Sequence, residues 1–119
     1  DCGTTYFLTR AVGTAKACEL AFTGDIIDAQ EALRLGMVSR VVPHDELMEQ
    51  ARELAMKLAK GPPLAIGLTK HLLYQGASNG LTAQMVREMY AQSITTPSED
   101  HKEGVRAFLE KREPDFKGR

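Results

Sequence analysis

Apolar and polar positions along this chain recur with the period of helices more than of strands. The clearest stripe begins after Asp45, where Leu47, Ala51, Leu54, Ala55 and Leu58 fall at i, i+4, i+7, i+8 and i+11. That spacing predicts an amphipathic helix, closed by Gly61 and Pro62. Pro63 suits the first turn of a next helix, "PLAIGLTKHLLYQ", ending near Gly76. Leu81 to about Ile94 predicts another, with Met85 and Met89 one turn apart and Pro97 terminating it. Ser98 then caps a last helix, Glu99 to Arg112, whose Val105, Phe108 and Leu109 are expected to face inward. Pro114 and the polar residues after it read as a tail.

Upstream the pattern is more broken. "GTTYFLTR", Gly3 to Arg10, and "TAKACELAF", with Ala17, Leu20 and Ala21 at helical spacing, predict two short helices divided by Gly13. Gly24 and Asp25 supply a turn. Asp28 and Glu31 have the three-residue offset of a capping box, so a helix is expected from about Ala29 to Leu35, stopping at Gly36. "MVSRVV" is short and β-branched, and Pro43 ends it, which predicts an edge strand over Val38 to Val42. A lone strand leaves backbone donors and acceptors unpaired, so this one would need a sheet that the chain does not obviously contain. The expected fold class is therefore mainly α, with seven helices and one short β-strand.

Composition narrows the function classes. At 119 residues the chain is long enough for one domain with a core, and its 43% hydrophobic and 26% charged residues argue against disorder. Fifteen Lys and Arg against sixteen Asp and Glu create no field that favours nucleic acid, leaving a helical DNA-binding module with only its helix-turn-helix appearance. Cys2 and Cys18 make no CxxC, and with three scattered histidines they offer no metal-ligand spacing, so no metal is expected. No apolar run approaches the roughly 18 residues of a membrane span. With no leader-like opening and few cysteines, the expected compartment is the cytoplasm or an organelle matrix.

The run "DCGTTYFLTRAVGTAKACELAFTGDIIDAQEALRLGMVSRVVP", together with the end "EGVRAFLEKREPDF", resembles the crotonase superfamily, the enoyl-CoA hydratase and isomerase family. The likeness covers essentially the whole chain. "LTRAVG", "TGDIIDAQEALRLGMV" and "EGVRAFLEKR" are modest patterns singly and specific in their joint order and spacing. The resemblance implies the C-terminal part of a crotonase-like α/β fold, a ββα spiral followed by trimerisation helices. Residues 1–43 would end the spiral core and form a hinge, and 44–119 would form the helical trimerisation region. In this family the other half binds the acyl-CoA and supplies the two oxyanion-hole N–H groups and the two glutamates of the hydratases. The implied activity of a complete parent is hydration or isomerisation of enoyl-CoA thioesters through a stabilised enolate, with the coenzyme A thioester as substrate and no separate cofactor. This half alone is expected to be inactive.

Four positions follow from the resemblance. Asp1 falls where certain isomerases and a dehalogenase branch of the family carry a catalytic aspartate, which could move a proton or attack as a nucleophile; the bland alternative is a solvated first residue. Thr4 departs from the glycine common in hydratases there. Phe108 and Lys111 match positions that reach the coenzyme A nucleotide bound by a neighbouring subunit in family trimers. Their i, i+3 spacing would put ring and ammonium on one helix face, for adenine and phosphate. The plain alternative places Phe108 in the core with Val105 and Leu109, and Lys111 in a solvated basic end. Lys16, Lys70 and His71 are assigned to surface or packing, and Tyr6 and Tyr74 to packing. A homo-oligomer with trimer-type contacts is expected, and the competing reading is a non-catalytic helical oligomerisation module.

Overall fold

The computed structural model describes residues 2–119, whose regular elements are all helices, with no β-strand among them. Seven α-helices follow one another: α1 (Thr4–Val12), α2 (Thr14–Thr23), α3 (Ala29–Arg34), α4 (Leu47–Ala59), α5 (Pro63–Gly76), α6 (Leu81–Thr95) and α7 (Glu99–Glu110). A 3₁₀ turn, His44–Glu46, precedes α4. The chain forms two compact units, Asp1–Met48 and Glu49–Arg119.

In the first unit α1 packs against α2, and Ala17 of α2 is the buried side chain. The entry to α3 is capped as its sequence dictates: the Glu31 backbone N–H donates to Asp28 Oδ1 at 2.8 Å. The reciprocal half of the capping box is replaced, because the Glu31 carboxylate pairs with Arg34 one turn on. At the exit, the Gly36 N–H reaches the Leu33 carbonyl (3.0 Å) and the Met37 N–H the Ala32 carbonyl (2.9 Å). This is a Schellman stop, and Gly36 at φ 75° takes the left-handed position that it requires.

The strand expected over Val38 to Val42 does not form; these residues are irregular. β-Branched composition favours a strand only where a second extended segment completes the hydrogen-bond ladder, and no such segment exists among the described residues.

In the second unit α5 and α6 pack together as an antiparallel-type helical pair. Gln84 ties them: its Nε2 donates to the Leu72 carbonyl and its Oε1 accepts from Asn79 Nδ2, each at 3.0 Å. Pro63 occupies the first turn of α5, where a missing N–H costs nothing. Ser98 caps α7, its Oγ accepting the His101 N–H at 3.1 Å.

The apolar face expected to point inward from α7 does not. Val105, Phe108 and Leu109 are exposed, while Asp100 and Ala107 are buried and Glu103 and Gly104 half-buried. The covered stripe is thus 100, 103, 104 and 107, roughly a third of a turn round the helix from the apolar one. What covers it is the tail: residues 113–119 fold back along α7, and the Phe116 ring lies close enough to Gly104 that a Cβ there would stand 3.5 Å from it.

Candidate functional site

The chemistry-bearing residues of this chain gather at the C-terminal end of α7 and the tail beyond it. Asp1, the carboxylate proposed for proton transfer, lies outside the described residues. Phe108 is in the last turn of α7 and is 81% exposed, so it is not a core residue of this chain. Lys111 does not continue the helix beside it. It ends α7 in a left-handed conformation, φ 53° and ψ 43°, which corrects the expected run to Arg112.

The cause of that stop is a second Schellman arrangement. The Arg112 N–H donates to the Ala107 carbonyl at 3.0 Å and the Lys111 N–H to the Phe108 carbonyl at 3.3 Å. Glycine is the usual occupant of such a turn, and a lysine there carries strain of about 1 kcal/mol. The turn reverses the chain so that Arg112 meets Glu103, nine residues earlier, through Nη1 to Oε1 (2.6 Å) and Nη2 to Oε2 (3.0 Å). Arg112 Nε also donates to Glu110 Oε2 at 2.6 Å. Glu103 accepts the Asp115 N–H at 3.0 Å as well. The Arg112 guanidinium, then the Asp115 N–H, hold the Glu103 carboxyl well below its ordinary range, at about 2, and Arg112 is raised in turn.

Asp100, one turn before Glu103, is 4% exposed. Its Oδ1 accepts the Lys117 N–H at 2.6 Å and its Oδ2 the Gly118 N–H at 2.9 Å, while its own N–H donates to the Arg119 carbonyl at 3.0 Å. A buried carboxylate with both oxygens satisfied by backbone donors is a fixed anchor rather than a loose surface charge. Gly118, at φ 80°, lies against α5: a Cβ on it would come within 3.0 Å of Pro63 Cγ.

Between the start of α5, the open face of α7 and the tail runs a cleft of about 510 Å³, with Pro62, Leu64, Val105, Phe108, Leu109 and Phe116 among its lining. Its walls are mainly apolar, with Ser98 and His101 as polar points. A cleft of this size can take a planar ring against Phe108. Among the described residues Lys111 makes no ion pair, while Arg112 pairs with both Glu103 and Glu110.

Asp100 and Glu103 were invisible to hydrophobic patterning, which weighs apolar residues and passed over a stripe that is polar and small. The signal that could have found them is the pairing of Gly104 and Ala107 with carboxylates at the same spacing. The remaining candidates behave as surface residues: Lys16 pairs with Glu19 at 2.8 Å, and Lys70 and His71 are exposed. Tyr6 is exposed too, with the Arg10 guanidinium 3.5 Å from its ring centroid. Among the described residues no group of three or more His, Cys, Asp or Glu is placed to hold a metal ion, and no helix is long and apolar enough to cross a membrane.

Known proteins share this architecture and sequence. The 2,3-dehydroadipyl-CoA hydratase of Escherichia coli (strain K12) is 41% identical over 117 residues, 98% of this chain and 46% of that protein. The 1,2-epoxyphenylacetyl-CoA isomerase of the same organism is 39% identical over 119 residues, 100% of this chain and 45% of that protein. A solved structure of an enoyl-CoA hydratase from Bacillus anthracis superposes with a TM-score of 0.95 at 39% identity, covering 98% of this chain and 45% of that one. The chain thus spans about half the length of the curated relatives it matches. The family model for enoyl-CoA hydratase/isomerase matches residues 1–119, end to end, and the chain belongs to that family.

Proposed function

We propose that this chain is the C-terminal region of an enzyme that hydrates or isomerises enoyl-CoA thioesters through a stabilised enolate. The observation that carries the reading is the exposed end of α7, where Phe108 borders an apolar cleft and Lys111 stands without an ion-pair partner among the described residues. Phe108 would stack on the adenine of coenzyme A and Lys111 would meet one of its phosphates, across a subunit boundary in a trimer-type homo-oligomer. The coenzyme A thioester is the substrate and no further cofactor is needed.

Asp1 is the proposed proton-transfer carboxylate of the complete parent, moving a proton between carbons of the enoyl thioester. Enolate stabilisation would fall to oxyanion-hole donors in the family's other half, so this chain alone should turn over nothing. The proposed compartment is the cytoplasm or an organelle matrix.

The test is a calorimetric titration of the purified chain with coenzyme A and with a short enoyl-CoA, beside a light-scattering mass. Saturable binding weakened roughly tenfold or more by Lys111→Ala is expected, the size of a lost hydrogen bond to a charged group. Unchanged affinity in that variant would remove the nucleotide contact. Turnover of enoyl-CoA above a mock preparation would overturn the inactivity. A second reading, a non-catalytic helical oligomerisation module, draws on the exposed apolar residues of α6; a defined oligomer with no heat from either ligand would favour it.

A further inference from the structure

The strained turn at Lys111 calls for something that holds it. A helix free to choose would run on or stop at a glycine, and neither happens here. The tail is pinned at three points along α7. Asp100 takes the N–H groups of Lys117 and Gly118, Glu103 takes that of Asp115 together with the Arg112 fork, and Phe116 rests against Gly104. A continued helix would carry Arg112 more than two turns from Glu103, out of reach. The left-handed turn and the Arg112–Glu103 pair are therefore one device: each requires the other.

That device also sorts the charges of the run Glu110, Lys111, Arg112. Arg112 engages both Glu110 and Glu103, and Lys111 makes no ion pair among the described residues. A fork that binds two carboxylates suits arginine, whereas a lysine is a compact charge better left open to an external anion.

We infer that Asp100 and Glu103 are positioning residues, which clasp the tail and so hold the left-handed turn that sets where Lys111 stands for the nucleotide end of the ligand. The part concerning the ligand rests on the coenzyme A contact proposed above. The part concerning the turn stands on the hydrogen bonds alone. The tail is accordingly a functional strap: its distant end, at Gly118 against Pro63, governs the geometry of Lys111 without touching it.

Gly118→Ala is the decisive variant. It leaves both carboxylate side chains and the turn residues unaltered, but the added Cβ meets Pro63 and the left-handed φ of 80° disfavours it, which pulls the Gly118 N–H away from Asp100. Asp100→Asn attacks the same tail from its partner, so both variants should agree. Amide hydrogen exchange on the full chain, with helicity checked by circular dichroism, is expected to quicken tenfold or more at Lys117 and Gly118 and also at Arg112, whose N–H closes the turn, while α5 and α6 keep their rates. Faster exchange in the tail with an unchanged Arg112 amide would overturn the proposal, because the tail would then be a passive cover.

Coenzyme A titration separates the two layers. If the clasp positions Lys111, Gly118→Ala weakens binding by a factor close to that of Lys111→Ala, and the double variant loses little more, as expected of residues acting through one contact. Weakening by Lys111→Ala alone would reject the clasp as a positioning device and leave the coenzyme A contact standing. No effect of Lys111→Ala would reject the coenzyme A contact, and the exchange at Arg112 would still judge the clasp.

Discussion

Lys111 occupies a backbone conformation that costs a side chain with a Cβ about 1 kcal/mol and costs glycine little. Replacing it by glycine should therefore raise the stability of the chain by about 1 kcal/mol while removing the ammonium. A urea titration checks this as a higher midpoint with an unchanged slope, and an equal or lower midpoint would show that the turn carries no strain. A stabilised variant that also loses affinity for coenzyme A would identify the strain as a cost retained for function. Glu103 gives the second prediction at this scale. Its folded carboxyl is held at about 2 by Arg112 and the Asp115 N–H, against an ordinary 4.5, so across that interval the unfolded chain binds more protons than the folded one. Stability from this group is then fully present above about 4.5 and is lost as the pH falls through about 2. Denaturation curves of wild type and Glu103→Gln should stand furthest apart near neutrality and converge at the acid end. A constant separation at every pH would mean that the ion pair contributes no proton linkage.

Helix ends were legible in the sequence and helix faces were not. Asp28, Gly36, Pro63 and Ser98 each act through backbone groups a few residues away, so type and position suffice to place them. The face of α7 depends on what lies against it, and that is a tail whose docking is made by carboxylates and backbone amides rather than by apolar side chains. Hydrophobic periodicity therefore selected Val105, Phe108 and Leu109, which are open, over Asp100, Glu103, Gly104 and Ala107, which are covered. The strand at Val38 to Val42 failed for a related reason, since strand formation is decided by a partner that local composition cannot supply. The proposed site residues Phe108 and Lys111 came from family likeness, and the structure adds the left-handed turn that takes Lys111 out of the helix of Phe108. The same local reasoning yields a prediction for α5. Gly67 lies inside this helix, is exposed, and has open space where a Cβ would go. Gly67→Ala should stabilise the chain by roughly 1 kcal/mol, the difference in helix propensity, seen as a rise in thermal midpoint. No rise would mean that helix formation in α5 is limited by packing against α6 rather than by propensity.

At the scale of the whole molecule, the apolar surface left in water is the dominant physical fact. Ile26 is 99% exposed in the first unit, and in the second Met85 and Met89, one turn apart on α6, are 58% and 61% exposed. Among the described residues the buried apolar side chains are Ala17 and Ala107, both small. Burial of large side chains is the main driving force for folding, at about 1.5–3 kcal/mol each, so any surface that covered these side chains would stabilise the chain. Sedimentation velocity from about 1 to 100 μM, a range in which modest apolar contacts form, should show a reversible shift to a larger species. Met85→Glu combined with Met89→Glu places two like charges one turn apart on the open face of α6, where burial would strip them of water with no cation to meet them. That variant should sediment as the smaller species over the whole range with unchanged helicity, since both side chains already face solvent. A wild type that stays monomeric throughout would show that these faces do not bind one another. Association that survives both glutamates would move the contact from α6 to another open surface, such as the face of Val105, Phe108 and Leu109 on α7. If Phe108 makes the proposed coenzyme A contact, occupation of that face would compete with it, and affinity for the ligand would fall as protein concentration rises.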